Sequence, residues 1–168
     1  MLIGIISDTH DHVENTKRAM EIFKRRKVEL VIHCGDWVSP FMPPFVQGFR
    51  CVSVFGNNDG DIFRFLTFNQ ADKWGIEFHA ESAELELDKR KIAVYHGGSP
   101  TLLNCLLESK KFDVVFFGHN HTAAVVPGKP LLVNPGPACG FRAGIGAVKA
   151  TVAIYNTADN TAKLVELK

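Results

Sequence analysis

Apolar and polar positions recur along the chain in one repeating unit. A short apolar run stops abruptly at polar residues. "LIGIIS" ends in "DTHDH", "ELVIHC" in "GDWVS", "CVSVF" in "GNNDG", "KIAVY" in "HGGSP" and "DVVFF" in "GHNH". Runs of this length, rich in β-branched residues and bounded by turn formers, predict buried strands. Segments of helical period lie between most of them. Val13, Thr16, Met20 and Phe23 recur at three- and four-residue steps, as do Leu102, Leu103, Leu106 and Leu107 after Ser99. Strands alternating with helices predict an α/β fold with parallel pairing.

The pattern changes in the second half. "AELELD", residues 83–88, alternates strictly and forms a hairpin with "KIAVY" through "DKR". "AAVV-PGKP-LLVN" and "VKATVAIYN-TADN-TAKLVELK" predict two further hairpins. A parallel-leaning first half is thus followed by an antiparallel-rich second half. Two mixed sheets packed face to face, with helices outside, would bury all these strands. "NPGPACGFRAGIG", residues 134–146, reads as one long Gly-rich loop of the kind that often carries function.

Length and charge narrow the classes. At 168 residues the chain suits a single domain spanning 1–168. A net charge of +1 removes the electrostatic case for a dedicated nucleic-acid binder. The basic run Lys24–Lys27 sits where a helix should end and complements its dipole. No stretch approaches the ~20 apolar residues that span a bilayer, and the N-terminal apolar run is too short for a signal peptide. Cys34, Cys51, Cys105 and Cys139 form no C-x-x-C pair and read as reduced, mostly buried thiols of a cytoplasmic protein. A homodimer is compatible with the sequence.

Ligands of α/β sheets gather beyond the carboxyl ends of the strands, where every polar motif lies. Singly, each motif has an ordinary reading: Asp8 and Asp36 as helix caps, Asn57 as a turn residue, His96 as a hydrogen-bonded strand-end imidazole. His119-x-His121 is stronger as a metal pair, with a structural pair as the alternative. Together, Asp8, His10, Asp36, Asn57, His96, His119 and His121 offer only oxygen and nitrogen donors. They exceed what one catalytic ion takes and suit two, with one carboxylate shared. Such donors favour Mn, Fe, Zn, Ni or Co, and paired ions suit phosphoryl transfer. His12 reads equally as pocket lining or helix start. His33 reads as a packed core imidazole and His79 as a surface residue. Arg142 reads as an exposed loop arginine, with contact to a phosphate oxygen as the alternative. Trp37 and Phe41 read as core, or as an apolar wall or partner surface.

Asp-x-His, Gly-Asp, Gly-Asn-x-Asp, His before Gly, and Gly-His-x-His occur in that order between residues 8 and 121. The set resembles the calcineurin-like metallophosphoesterase superfamily, especially its small single-domain prokaryotic phosphodiesterases. "NPG" at 134–136 fits the same branch. The resemblance implies a four-layer α/β/β/α sandwich of two mixed sheets flanked by helices. It implies two divalent metal ions, Mn first among them. One would be held by Asp8, His10, Asp36 and His121, the other by Asp36, Asn57, His96 and His119, with Asp36 bridging. A hydroxide bridging the ions would attack a small phosphodiester, with Asp59 supporting the Asn57 loop. Asn58 stands where many members place a histidine that protonates the leaving group. An amide has no titratable proton near neutral pH, but it can donate to a phosphoryl oxygen. Slow diester hydrolysis of broad substrate range, favouring good leaving groups, is expected. The fold also resembles the metallophosphoesterase-like subunit of retromer, so a protein-interaction scaffold with little catalysis is the alternative. A single structural or storage metal is a third reading.

Overall fold

The structure is a computed structural model and describes residues 1–168, apart from the side chain of Ala71. The elements run β1 (Leu2–Ile6), α1 (Val13–Arg25), β2 (Leu30–His33), a 3-10 turn (Pro43–Val46) and β3 (Arg50–Ser53). Next come α2 (Ile62–Asp72), β4 (Ile76–Phe78), β5 (Ser82–Leu87), β6 (Arg90–Tyr95), α3 (Pro100–Glu108) and β7 (Val114–Phe116). The chain ends with β8 (Ala124–Val126), β9 (Leu131–Asn134), β10 (Phe141–Arg142), β11 (Gly146–Ala147), β12 (Thr151–Asn156) and β13 (Thr161–Glu166).

Two mixed sheets form, in the orders β13-β12-β1-β2-β3-β4 and β5-β6-β7-β9-β8. Strands β1 to β4 are mutually parallel, as are β6, β7 and β9. The parallel centre of the second sheet therefore comes from the half of the chain that the hairpins made look antiparallel. The hairpin strands lie outside it: β5 and β8 are edges, and β12 and β13 extend the first sheet beside β1.

Alternation along each strand builds three apolar layers. Ile3, Ile5, Leu30, Ile32 and Tyr155 of the first sheet face Val94, Phe116 and Val133 of the second. Met20 and Phe23 of α1 and Phe65 of α2 cover the other face of the first sheet. Leu103, Leu106 and Leu107 of α3 cover Ala93 and Val115 of the second. The result is the expected four-layer sandwich. Its outer layers are unequal, because no residue of α3 is fully buried.

Several local expectations need amendment. The Gly-rich segment is not all loop: Phe141–Arg142 pairs with Gly146–Ala147 in a small ribbon. Two of the four cysteines, not most, are buried: Cys34 and Cys51 are, while Cys105 is exposed and Cys139 half-buried. His33 and Trp37 are core residues, their rings stacked with centroids 3.5 Å apart. Phe41 is exposed. His79 is half-buried and pairs with Glu77 at 3.0 Å. Among the described residues, no helix is long and apolar enough to cross a membrane.

Phe116, fully buried between the sheets and edge-on to Tyr155, should carry much of the stability. Phe116→Ala is expected to cost about 3–5 kcal/mol in urea denaturation, and Leu106→Ala under the thinner α3 layer only about 1 kcal/mol. Equal losses would contradict this layering.

Candidate metal centre

Six parallel strands discharge at one edge of the sandwich. After β1 comes Asp8, after β2 Asp36, after β3 Asn57, after β6 His96, after β7 His119 and His121, and after β9 the segment with Cys139. The loops are tied to each other by backbone bonds. Asp8 and His10 donate to the carbonyls of Gly35 and Asp36 at 3.0 and 3.1 Å. Gly118 donates to His96 at 2.9 Å, and Cys139 to Asp8 at 3.0 Å.

The chain turns inward at this edge through left-handed backbone. Asp8, His10, Asp36, His119 and His121 all have φ between 41° and 67°. L-residues pay of the order of 1–2 kcal/mol for this conformation, and it recurs where function fixes side-chain aim. Two glycines make the packing possible. A Cβ on Gly56 would lie 2.2 Å from an Asp36 oxygen, and one on Gly118 would lie 1.9 Å from Ser7 Oγ and 2.7 Å from Asp8 Oδ2. The Gly-Asn and Gly-His motifs are thus contact requirements as well as turn chemistry.

All seven expected donors converge. Asp8 and Asp36 are 0% and 1% exposed. Asp36 lies between two groups of donors. Its Oδ2 is 3.4 Å from His10 Nε2, and its Oδ1 is 3.4 Å from His96 Nε2. On the first side, His121 Nε2 is 3.3 Å from Asp8 Oδ1 and 3.2 Å from His10 Nε2. On the second, Asn57 Oδ1 meets His96 Nε2 at 3.0 Å and His119 Nδ1 at 2.8 Å. Two imidazoles are oriented from behind. His96 Nδ1 donates to the Cys34 carbonyl at 2.8 Å, and His121 Nδ1 to the Phe141 carbonyl. In its neutral form each ring then offers Nε2 as the free donor. Asp8, His10 and Asp36 oxygens and nitrogens lie within 4.8 Å of one another, close enough to share an ion. Hard and borderline donors with no lysine among them suit a divalent cation.

The electrostatics follow from burial and contact. Burial alone would raise the Asp36 pKa. The hydrogen bond and charge of His96, with two bonds from Asn58, outweigh burial and hold the carboxyl well below the usual carboxylate range. Burial opposes charge on His96, yet its bond to Asp36 and the Asp36 and Asp8 charges raise it above the ordinary imidazole value. The bond to Asp8, then that to Cys139, lifts His121 to about 10. A metal that binds His121 Nε2 competes with a proton there.

Asn58 and Asp59 do different work. Asn58 donates its backbone N–H and one amide N–H to the two Asp36 oxygens, at 2.9 and 2.8 Å. The second amide hydrogen remains for another acceptor. The Asp59 carboxylate turns away from the donors. It accepts from the backbone of Gly56, Asp36 and Val38 at 2.7, 3.0 and 2.8 Å, fastening the second and third loops together. It is a positioning residue. His12 does both things expected of it, capping α1 through a 3.2 Å bond from Asn15 and lining the hollow of about 630 Å³ over the donors. Arg142, expected at the surface, is half-buried and lines the same hollow. Cys139 lines it too. Its only sign in the sequence was its place in the Gly-rich segment.

A sequence model of the calcineurin-like phosphoesterase superfamily domain matches residues 1–160. The chain belongs to that superfamily. It is 35% identical over 156 residues to Phosphodiesterase MJ0936 of Methanocaldococcus jannaschii, covering 88% of this chain and 90% of that protein. A solved structure described as a novel archaeal phosphodiesterase superposes with a TM-score of 0.88 at 32% identity, over 99% of this chain and all of that one. Zinc-complexed Vps29 of Entamoeba histolytica superposes at 0.70 with 16% identity over the full length of both chains, and shares the fold.

Asp59→Ala removes three bonds to a charged acceptor. It is expected to lower stability by about 2–4 kcal/mol and to weaken metal binding at the Asn57 side. Unchanged stability in urea denaturation would contradict the clamp.

Proposed function

We propose that this member of the calcineurin-like phosphoesterase superfamily is a metal-dependent phosphodiesterase with a dinuclear centre. The observation that carries the reading is the position of Asp36, with one oxygen toward His10 and the other toward His96 at equal 3.4 Å separations. A carboxylate so placed can be shared by two cations. Asp8, His10, Asp36 and His121 would hold one, and Asp36, Asn57, His96 and His119 the other. When bound, such a pair supplies an activated water and neutralises charge on the phosphoryl oxygens. Mn(II) is the ion we expect in assays. The likeness to Phosphodiesterase MJ0936 supports diesters as the substrate class.

The chain's own groups account for the rest. The remaining Asn58 N–H and the Arg142 guanidinium are available to a phosphoryl oxygen in the hollow they line. A second hollow of about 560 Å³ meets the first at Asn57 and is walled by Phe55, Ile62, Tyr95 and Leu102. It gives an apolar arm of a diester somewhere to lie out of water. Nothing at Asn58 can protonate the leaving oxygen, so good leaving groups are favoured. Such groups depart without a proton. The free thiols and balanced charge favour a cytoplasmic setting and a small substrate.

With Mn(II), the protein is expected to hydrolyse bis-p-nitrophenyl phosphate, and Asp36→Asn to lower turnover by at least about 100-fold. Asn58→His should raise turnover of diesters with poor alkyl leaving groups by about 10–100-fold and leave the nitrophenyl diester nearly unchanged. No turnover by metal-loaded protein would contradict the enzyme reading. An Asn58→His variant with no gain on alkyl diesters would contradict the role given to Asn58.

A further inference from the structure

The segment after β9 carries a sulfur into the donor set. Cys139 Sγ and one ring nitrogen each of His10 and His121 all lie within 4.8 Å of one another. Sulfur and nitrogen donors of one zinc ion lie roughly 3.5 Å apart, so a bound ion would draw these atoms together. His10 also belongs to the set with Asp8 and Asp36, whose ligand atoms likewise lie within 4.8 Å of one another, and so links the sulfur to those carboxylates.

The thiol is held there. The Cys139 N–H is bonded to the Asp8 carbonyl and the Ala138 N–H to the Ser7 carbonyl, each at 3.0 Å. These bonds fix the segment against the same strand end that supplies Asp8 and His10. Toward the backbone, Sγ has only a long 3.7 Å contact with the Phe141 carbonyl, and its side chain is half-buried in the wall of the hollow. The other cysteines lack this setting. Cys34 and Cys51 are buried in the core, and Cys105 is exposed on α3.

We propose that Cys139 is a direct ligand of the ion held by Asp8, His10, Asp36 and His121. This rests on the metal-centre reading above. The two halves of the centre then differ in kind. The half with sulfur selects a thiophilic divalent ion such as Zn(II) or Fe(II), and the half at Asn57, His96 and His119 keeps only oxygen and nitrogen donors and accepts Mn(II). When the ion binds, the thiol S–H bond breaks, its proton leaves to solvent and a sulfur–metal bond forms. No oxidation state changes.

Cobalt(II) reports thiolate ligation directly. Full-length protein stripped with a chelator should develop a near-ultraviolet thiolate-to-cobalt charge-transfer band on titration with Co(II), alongside the visible d–d bands. Cys105→Ser should keep the charge-transfer band. Cys139→Ser and Cys139→Ala should lose it while the d–d bands persist. Zn(II) affinity should fall by at least about 10-fold in Cys139→Ser, with Mn(II) affinity at the other half little changed. Wild-type d–d bands without a charge-transfer band, or a band that survives Cys139→Ser, would overturn the proposal and leave the metal centre standing. Wild-type protein that binds no cobalt at all would overturn the metal centre itself and this proposal with it.

Discussion

Two carboxylates, Asp8 and Asp36, are buried beside each other at the meeting point of six strand ends. An ionised carboxylate removed from water costs several kcal/mol unless it is matched. Among the described residues, the ion pairs of both are with histidines: His121 for Asp8, and His10 and His96 for Asp36. Asn58 and the His119 N–H add hydrogen bonds. Everything else at this edge serves that concentration of negative charge. Left-handed backbone at Asp8, His10, Asp36, His119 and His121 aims the donors inward. Bare Cα positions at Gly56 and Gly118 allow the loops to close over them. A design for stability alone would use none of these features, and together they gather the donors at one point.

The sandwich supplies the rigidity this demands. Each donor sits a few residues beyond a strand buried in the inter-sheet core, so its Cα is fixed by packing rather than by the loop. The two sheets contribute separately, Asp8, Asp36 and Asn57 from one and His96, His119 and His121 from the other. The centre therefore exists only when the sheets are packed face to face. His96 to the Cys34 carbonyl and His119 N–H to Asp8 are bonds that cross between them. Asp59 joins the second and third loops within the first sheet. Changes in the core or in Asp59 should register at the centre although they alter none of the donor side chains.

Much of this was legible in the sequence because strand termination is a local signal. An apolar run that stops at Asp-x-His or Gly-His-x-His marks both the strand and the chemistry past its end. The seven donors, the helix at Val13–Arg25 and the hairpins all carry such signals. The helix at Ile62–Asp72 did not. Ile62, Phe63, Phe65, Leu66 and Phe68 are crowded around the helix instead of lying on one stripe, and only Phe65 is fully buried. The strand–helix–strand run through β6, α3 and β7 carried the signal for their parallel pairing. The pairing of β7 with β9 was hidden, because β9 reads first as the partner of β8 in a hairpin. Cys139 was hidden, and Arg142 could be weighed for a phosphate oxygen but not placed, because a Gly-rich segment has no period from which to read direction. Only the tertiary bonds of Ala138 and Cys139 to Ser7 and Asp8 turn that segment toward the centre. Asn58 was legible as a missing proton donor, but its grip on Asp36 was not.

The central claim is that Asp36 divides the donors into two groups, each holding one ion. Metal content measured by elemental analysis on chelator-stripped, reconstituted and desalted protein tests it most directly. The account predicts about two ions per chain, falling to about one in His119→Ala and also to about one in His121→Ala, because each variant empties a different half. A single ion per chain in the wild type, lost entirely in either variant, would contradict it.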